Sequence, residues 1–170
     1  MSENFEIRNK VAENTSLVNF DLSELVPKGE RKGIDLKEFL WEGLILKEKD
    51  FRENVEKMNA EDYQNSFVYI YNSADAIVPL WSYFLITAKL TDSAKKIVFG
   101  NREDLEMILM HDIIENYDFT ELKGKRVLVK GCSDKEIPEN AYIELVEKLK
   151  PLVKSLMFGE ACSNVPIFKN

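Results

Sequence analysis

The chain has 170 residues, enough for one domain with a full hydrophobic core. Hydrophobic residues make up 45% of it and charged residues 31%, a composition that excludes a disordered chain. The net charge of -7 repels phosphate backbones, so we expect no binding to nucleic acid. No apolar run approaches the about 20 residues that span a bilayer. Two cysteines form no disulfide framework. Together these features predict a cytoplasmic protein without a membrane partner.

The opening segment, residues 1–66, gives mixed signals. One short apolar run is typical of a strand. The spacing of Asp35 and Glu38 is that of a capping box, which starts a helix. Further along, apolar residues recur at helical spacing between charged neighbours. The predicted elements are a strand at Leu17–Phe20, a helix at Asp35–Trp41 and a helix around Phe51–Met58.

From residue 67 onward, strand-like runs alternate with amphipathic helical patterns. The strands start about 30 residues apart, the length of a βαβ unit. This alternation predicts a single α/β domain over residues 1–170, with a mostly parallel sheet and intervening helices over 67–158 and a C-terminal tail over 159–170. The predicted strands are Phe67–Tyr71, Lys96–Gly100, Arg126–Val129 and Val153–Phe158, and the helices between them begin near Pro79, Glu103 and Pro138.

Apolar side chains of the first of these helices form a stripe that we expect to face the core. We likewise interpret its aromatic residues as core residues rather than as a stacking platform. The stripe consists of Leu80, Trp81, Phe84, Leu85 and Ala88, and the aromatic residues are Trp81, Tyr83 and Phe84. The lone His111 is predicted to lie on the surface of the next helix, and without a second histidine a histidine-rich zinc site is excluded.

The loops that follow the predicted strands carry the residues most typical of a site. In open parallel sheets, ligands bind beyond the carboxyl ends of the strands. Both cysteines, Cys132 and Cys162, fall in such loops, as do the carboxylates of Asp75, Asp134 and Glu160. Thiolates and carboxylates on converging loops are donors for a metal ion such as zinc or iron. We therefore predict a metal site in which both cysteines share one edge of the sheet and Asp75 or Glu160 completes the coordination.

The same residues have other interpretations. Free cysteines are often buried as small hydrophobes, and Asp134 can cap the helix that follows it. The spacing between Cys132 and Cys162 matches no metal-ligand signature. A thiol near a helix N-terminus has a lowered pKa, so Cys132 could also be the nucleophile of a thiol-dependent enzyme. Such an enzyme needs a base beside the thiol, and the only histidine is predicted on a helix surface.

Several runs of the chain resemble a small bacterial family of proteins of unknown function. They are Gly43–Arg52, Ser73–Pro79, Val98–Gly100, Lys130–Lys135 and Cys162–Ile167. The resemblance extends over nearly the entire chain. It implies a gene setting beside iron–sulfur cluster assembly components, and hence iron–sulfur assembly proteins as partners. On this resemblance, Cys132 and Cys162 are ligands of iron or sulfur.

Two functions of different classes stay open at this point. The first is an accessory protein of metal or iron–sulfur cluster handling, with a site of cysteines and carboxylates at the strand ends. The second is a non-catalytic protein-interaction module whose cysteines are structural. A homo-oligomer is compatible with both. The cofactor and the existence of an enzymatic activity are left open.

Overall fold

The computed structural model describes residues 17–131 and 137–170. Among these residues there are seven strands: β1 (Leu17–Phe20), β2 (Arg31–Asp35), β3 (Phe67–Tyr71), β4 (Lys96–Phe99), β5 (Arg126–Val129), β6 (Ser155–Glu160) and β7 (Ser163–Lys169). The α-helices of the described residues are α1 (Glu48–Lys57), α2 (Leu80–Leu90), α3 (Arg102–Asn116) and α4 (Glu139–Leu149). None of the helices in these two ranges combines the length and the apolar character that crossing a membrane requires.

The chain divides into two compact units. Unit 1 consists of Met1–Val26 and Met110–Asn170, and unit 2 of Pro27–Leu109. Each unit contains its own sheet, and α3 begins in unit 2 and ends in unit 1. The expectation of a single domain stays a prediction, because compact units of this kind occur both within one domain and as separate domains.

Unit 2 contains sheet B, with the strand order β2-β3-β4 and parallel pairing throughout. Its main core cluster joins the sheet to α1 and α2. Phe51 and Val55 of α1 and Ile86 of α2 are buried there together with Val68 and Ile70 of the central strand β3. The buried positions of α1 are four residues apart, which is the spacing on the apolar side of an amphipathic helix.

Unit 1 contains sheet A, with the strand order β1-β5-β6-β7. Strands β1, β5 and β6 are parallel, and β7 pairs antiparallel to β6 after a tight turn at Ala161 and Cys162. One face of sheet A packs on α4 and on the end of α3, where Met110, Ile114 and Leu145 are buried. The opposite face of the sheet carries the groove described below.

The two helices of unit 1 are also joined at their surfaces. The Nδ1 atom of His111 on α3 lies 3.0 Å from Oε2 of Glu144 on α4. The Nζ atom of Lys148 on α4 lies 2.8 Å from Oε1 of Glu115 on α3. The His111 side chain is 54% exposed, which confirms its predicted place on a helix surface.

The prediction of helices alternating with parallel strands is confirmed in part. Every strand pair of the series from β3 to β6 is parallel, but the series is divided between two sheets, and sheet A also contains an antiparallel pair. The expectation of one continuous sheet was therefore wrong, whereas the expected parallel pairing holds for all described strand pairs except β6 with β7. The strands form two sheets because β5 pairs with β1, a strand that precedes the whole of unit 2 in the sequence, and not with β4.

Three local expectations also differ from the structure. The helix predicted at Asp35–Trp41 is a short 3-10 helix, Leu36–Phe39, with Asp35 as its N-cap. The predicted C-terminal tail contains β7. The apolar stripe of α2 faces the core only in part: Trp81 and Leu85 pack against the core, as does Tyr83, whereas Leu80 and Phe84 are 67% and 64% exposed. The buried side of α2 is instead formed by Ser82, Ile86 and Leu90.

Candidate functional site

The carboxyl edge of sheet A holds part of the predicted cysteine site. Glu160 is the last residue of β6, and Cys162, a free and exposed thiol, lies in the β6–β7 turn. Because β5 and β6 are parallel neighbours, Gly131 after β5 leaves the sheet at this same edge. Cys132 and Asp134 lie outside the described residues. Their distance to Cys162 therefore stays a prediction.

Asp75 follows a different sheet from the one that carries Cys162. It lies, exposed, in the loop after β3, the central strand of sheet B. The loop is shaped by Asn72, whose Oδ1 accepts a 3.0 Å hydrogen bond from the Ala74 amide and whose Nδ2 donates one of 3.0 Å to the Ala76 carbonyl. The argument that a single sheet brings Asp75 to the cysteines was wrong. The described residues contain no group of three His, Cys, Asp or Glu side chains arranged to hold a metal ion.

An ion pair at the ends of β1 and β5 was missed by the sequence analysis. Nζ of Lys130 lies 3.2 Å from Oδ2 of Asp21, and Oδ1 of Asp21 accepts a hydrogen bond from the Ser23 amide. The hydrogen bonds from Ser23, together with Lys130, lower the pKa of Asp21. Asp21, and more weakly the charge of Glu160, raise the pKa of Lys130. Lys130 and Asp21 therefore neutralise each other at this strand end, so less of their charge is available to bind a ligand.

Polar side chains at the carboxyl edge of sheet B are likewise bonded to one another. Asp35 accepts hydrogen bonds from both the amide and the hydroxyl of Ser73. Burial of Asp35 would raise its pKa, but the hydrogen bonds from Ser73 and from the Lys37 amide outweigh it, so the pKa is lowered. After β4, Asn101 and Asp104 exchange hydrogen bonds of 2.8 and 2.9 Å between amide and side chain, which caps α3. These residues hold loops in place.

The open face of sheet A has a different character. Paired residues of neighbouring strands point to the same face, and successive residues point to opposite faces. The rows that face away from α4 are Leu17, Arg126, Ser155 and Lys169, and then Asn19, Leu128, Met157 and Pro166. The alternate row, Val18, Val127, Leu156 and Phe168, belongs to or packs on the helix-side core. Both rows of the open face thus come from four strands of one sheet.

A groove of about 660 Å³ runs along this face and is lined by residues of unit 1. Its floor is apolar and includes Leu128, Met157 and Pro166. The cationic residues of the lining are Arg126, Lys154 and Lys169. The other described residues that line the groove are Leu17, Ser155, Leu156, Ala161, Asn164, Ile167 and Phe168. Volumes of about 300–1,000 Å³ with mostly apolar walls and a few polar groups are usual for small-molecule sites.

The charge of the groove is opposite to that of the protein. Among the described residues, the lining includes three cationic and no acidic side chains, although the chain as a whole carries a net charge of -7. Within the ranges 17–131 and 137–170, Arg126, Lys154 and Lys169 make no ion pair with an acidic residue. Arg126 and Lys169 lie two strands apart at the same register, or about 10 Å between backbones. Their charges are therefore available to an anion.

Comparison with known proteins assigns the chain to a family. The model of a family described as "Protein of unknown function (DUF2480)" matches residues 5–170. The chain belongs to the DUF2480 family. This bears out the resemblance to a family of unknown function. No curated protein matches the chain, and no solved structure does. The description of the DUF2480 family includes no activity, so the chemistry of this member has to be argued from its own residues.

Proposed function

We propose that this DUF2480 protein binds an anionic amphiphile, that is, a carboxylate or phosphate joined to an apolar chain, in the groove of sheet A. The observation that carries the proposal is the set of three exposed cations above an apolar floor, which have no acidic partner within residues 17–131 and 137–170. Exposed cations of this kind give the groove a local positive potential, which attracts an anion although the chain as a whole is acidic.

The arrangement of the groove suits the two parts of such a ligand. Arg126 and Lys169 flank Ser155 in one row, so an acid group between them meets an arginine fork, an ammonium group and a hydroxyl. In the next row, the half-buried Met157 can contact an apolar chain, whereas Leu128 beside it is only 1% exposed and forms the base of the groove. Methionine is flexible and polarisable, which suits it to ligands of variable shape. We infer a carrier or sensor of acyl-type acids, without catalysis.

The proposal is tested with two ligands of equal chain length and opposite charge. Dodecanoate, used below its micelle-forming concentration, should bind one per chain in isothermal titration calorimetry, and dodecyltrimethylammonium should bind at least about tenfold more weakly. Acetate and inorganic phosphate should give no measurable heat because they bury no apolar surface. Equal binding of both dodecyl compounds would instead indicate an unspecific apolar surface and would sink the proposal.

Variants separate the head group from the chain. Arg126→Gln and Lys169→Gln should each weaken dodecanoate binding about tenfold, because each removes a charge-assisted contact. Met157→Glu should abolish binding by placing a carboxylate in the apolar floor. The matched control is Lys123→Gln, which removes an exposed cation of unit 1 that does not line the groove. If Lys123→Gln weakened dodecanoate binding equally, the weaker binding would be due to the change in net charge alone.

The ligand chemistry could come from a free acid or from a lipid surface. In a second arm, the protein is sedimented with phosphatidylcholine vesicles that contain or lack phosphatidic acid. A carrier of single amphiphiles binds dodecanoate and stays in the supernatant with both vesicles. Co-sedimentation with the acidic vesicles, lost in Arg126→Gln, would assign the groove to a membrane head group instead.

A second candidate function is metal or iron–sulfur cluster handling through Cys162 and Glu160. It is favoured by the exposure of the Cys162 thiol at the sheet edge where the segment after Gly131 departs. The remaining ligands of this hypothesis are Cys132, Asp134 and Asp75. Dialysed, fully reduced protein is titrated with zinc or ferrous iron.

In this titration we expect stoichiometric binding that is lost in Cys132→Ala and Cys162→Ala and weakened in Asp75→Ala. The control variant is Glu121→Ala, an exposed carboxylate away from both cysteine loops in sequence. Absence of binding above background by the wild type would end this hypothesis and leave the groove proposal intact, since the two use different residues.

A further inference from the structure

Helix α2 of unit 2 is predominantly apolar, and its outer side is apolar as well as its inner side. Its single charged residue is Lys89, which donates a 3.1 Å hydrogen bond to the Glu56 carbonyl. The inner side buries Ser82, Ile86 and Leu90. Helices that are hydrophobic all round are normally buried on all sides, yet the outer side of α2 is open. Its outer stripe consists of Leu80, Phe84 and Ala88, all exposed.

Two neighbouring side chains extend this stripe into a larger surface. Ile77, three residues before Leu80, is 95% exposed, and Phe99 at the end of β4 is 70% exposed. The ring of Tyr83 on α2 contacts that of Phe99, with 5.1 Å between centroids. We define the α2 patch as Ile77, Leu80, Phe84, Ala88 and Phe99.

The α2 patch is large for a surface left in water. Its four large side chains are 64% to 95% exposed, so the patch presents about 500 Å² of apolar area. That is within the range at which the largest patch of a monomer is usually functional. It is also the greater part of the about 800 Å² that each partner contributes to a stable interface.

The order of residues in the stripe indicates what covers it. Leu80 and Ala88 lie one turn on either side of Phe84, about 6 Å along the helix axis in each direction. When two α2 helices cross antiparallel about a two-fold axis at Phe84, Leu80 of each copy comes opposite Ala88 of the other. Large residues then pack against small ones at both ends, which fills an interface without voids.

We propose that the α2 patch is the interface of a homodimer of this chain, formed by antiparallel packing of α2 against α2 of a second copy. A two-fold contact uses the same surface on both copies, and this stripe is complementary to itself in that arrangement. The patch contains no charged side chain, so the net charge of -7 opposes the approach of two copies only at longer range. Because salt screens this repulsion, it strengthens the proposed dimer, whereas salt weakens a dimer held together by ion pairs.

The test measures the mass of the full chain by analytical ultracentrifugation over a range of protein and salt concentrations. The wild type should sediment with twice the chain mass of 19.7 kDa. Its dissociation constant should decrease, by up to about tenfold, as the salt concentration rises from about 0.05 to 0.5 M, because salt screens the repulsion between the two like-charged copies. Phe84→Glu and Leu80→Glu should raise the dissociation constant at least about a hundredfold: the first places two like charges opposite each other at the two-fold axis, and the second buries an unpaired charge against Ala88 of the other copy.

The matched control is Ile143→Glu on α4, a residue that is 61% exposed and lies in unit 1. It introduces the same charge at an exposed isoleucine and should leave the dimer unchanged. Circular dichroism melting curves confirm that each variant is folded. A wild type that stays monomeric at the highest concentration would overturn the proposal, as would a Phe84→Glu variant that dimerises like the wild type.

The antiparallel arrangement is tested separately by crosslinking. In a background of Cys132→Ser and Cys162→Ser, the variants Leu80→Cys and Ala88→Cys are treated with a short bismaleimide, alone and mixed. The antiparallel dimer should crosslink efficiently in the mixture, since Leu80 faces Ala88 of the second copy. Efficient crosslinking of Leu80→Cys alone, with no additional product joining Leu80→Cys to Ala88→Cys in the mixture, would overturn the proposed packing.

Discussion

The carboxyl edge of sheet B and the groove of sheet A both carry polar and charged side chains, but these side chains have different consequences in the two places. At the edge of sheet B, Asp35 is held by Ser73, and Asn101 is bonded to Asp104. In the groove of sheet A, cations such as Arg126 have no acidic partner among the residues that the structure describes. Polar groups that satisfy one another stabilise the fold, whereas unpaired charges are available to a ligand. The comparison therefore separates stability from binding, and variants can test that separation.

The largest expected effect is that of Gly100→Ala at the edge of sheet B. Gly100 has φ of +131°, and a Cβ atom there would clash with Oδ2 of Asp104 and lie 2.8 Å from its Cβ; Asp104 exchanges capping hydrogen bonds with Asn101 at the start of α3. We expect the free energy of unfolding to fall by about 3 kcal/mol, from backbone strain and the lost cap. Urea unfolding followed by circular dichroism measures it.

Gly124→Ala is the control for this substitution. Gly124 has φ of +70°, but nothing lies within 4 Å of a Cβ atom there. Only the left-handed backbone conformation is penalised, by about 1 kcal/mol. Equal losses in the two variants would show that the contact of Gly100 with Asp104 contributes nothing, and would weaken the view that this edge is built for stability.

Asp35→Ala is expected to have the next largest effect. The substitution removes the acceptor of the Ser73 amide and hydroxyl and of the Lys37 amide. Unfolding should become easier by about 1–2 kcal/mol, the usual loss for a cap with charge-assisted hydrogen bonds. Asp75→Ala, which removes an exposed carboxylate in the next loop along the chain, should change stability by less than about 0.5 kcal/mol. A larger loss at Asp75 would reverse the roles assigned to these two residues.

The pH dependence of this difference sharpens the assignment. The pKa of Asp35 is lowered from 3.8 in the folded chain, so its carboxylate form stabilises the fold. That contribution is present above the unfolded pKa and is lost as pH falls through the lowered folded value. The gap between wild type and Asp35→Ala should stay constant above about pH 5 and close below pH 4. A gap that widens on acidification would contradict the direction of the shift.

The smallest effect on stability is expected in the groove. Arg126→Gln removes a charge without a described acidic partner, so the free energy of unfolding should change by less than about 0.5 kcal/mol. The same variant is expected to lose dodecanoate affinity, as set out above. Thermal melting with and without dodecanoate measures both quantities. A large loss of stability without ligand would show that Arg126 is a structural residue and would erase the contrast with Asp35.

Local features of the fold could be predicted from the sequence, whereas long-range ones could not. The bounds of β3 and β5 were predicted correctly because compact runs of β-branched and aromatic residues mark strands. The division into two sheets was missed, since residue spacing contains no information on whether β5 pairs with β4 or with β1. Strand β7 was missed because Pro166 interrupts it, and a proline in a strand is compatible only with an edge or a bulge.

The candidate groove was beyond sequence reasoning for a related reason. Arg126, Lys154 and Lys169 are widely spaced along the chain, and only the strand register brings Arg126 and Lys169 into one row. The orientation of α2 was mistaken for a different reason. The few polar residues of α2 do not mark its outer side, since Ser82 is buried, so its periodicity cannot tell whether Leu80 or Ile86 points inward.

The pairing of β1 with β5 has a consequence for the order in which the protein folds during synthesis. Leu17 pairs with Arg126, so unit 2 is translated in full before β1 meets its neighbour. A nascent chain that ends at residue 109 already contains every strand of sheet B but only β1 of sheet A. Contacts between residues so distant in sequence form slowly, because a long loop must close first. Unit 2 can thus complete its sheet on the ribosome, while β1 waits for the last third of the chain.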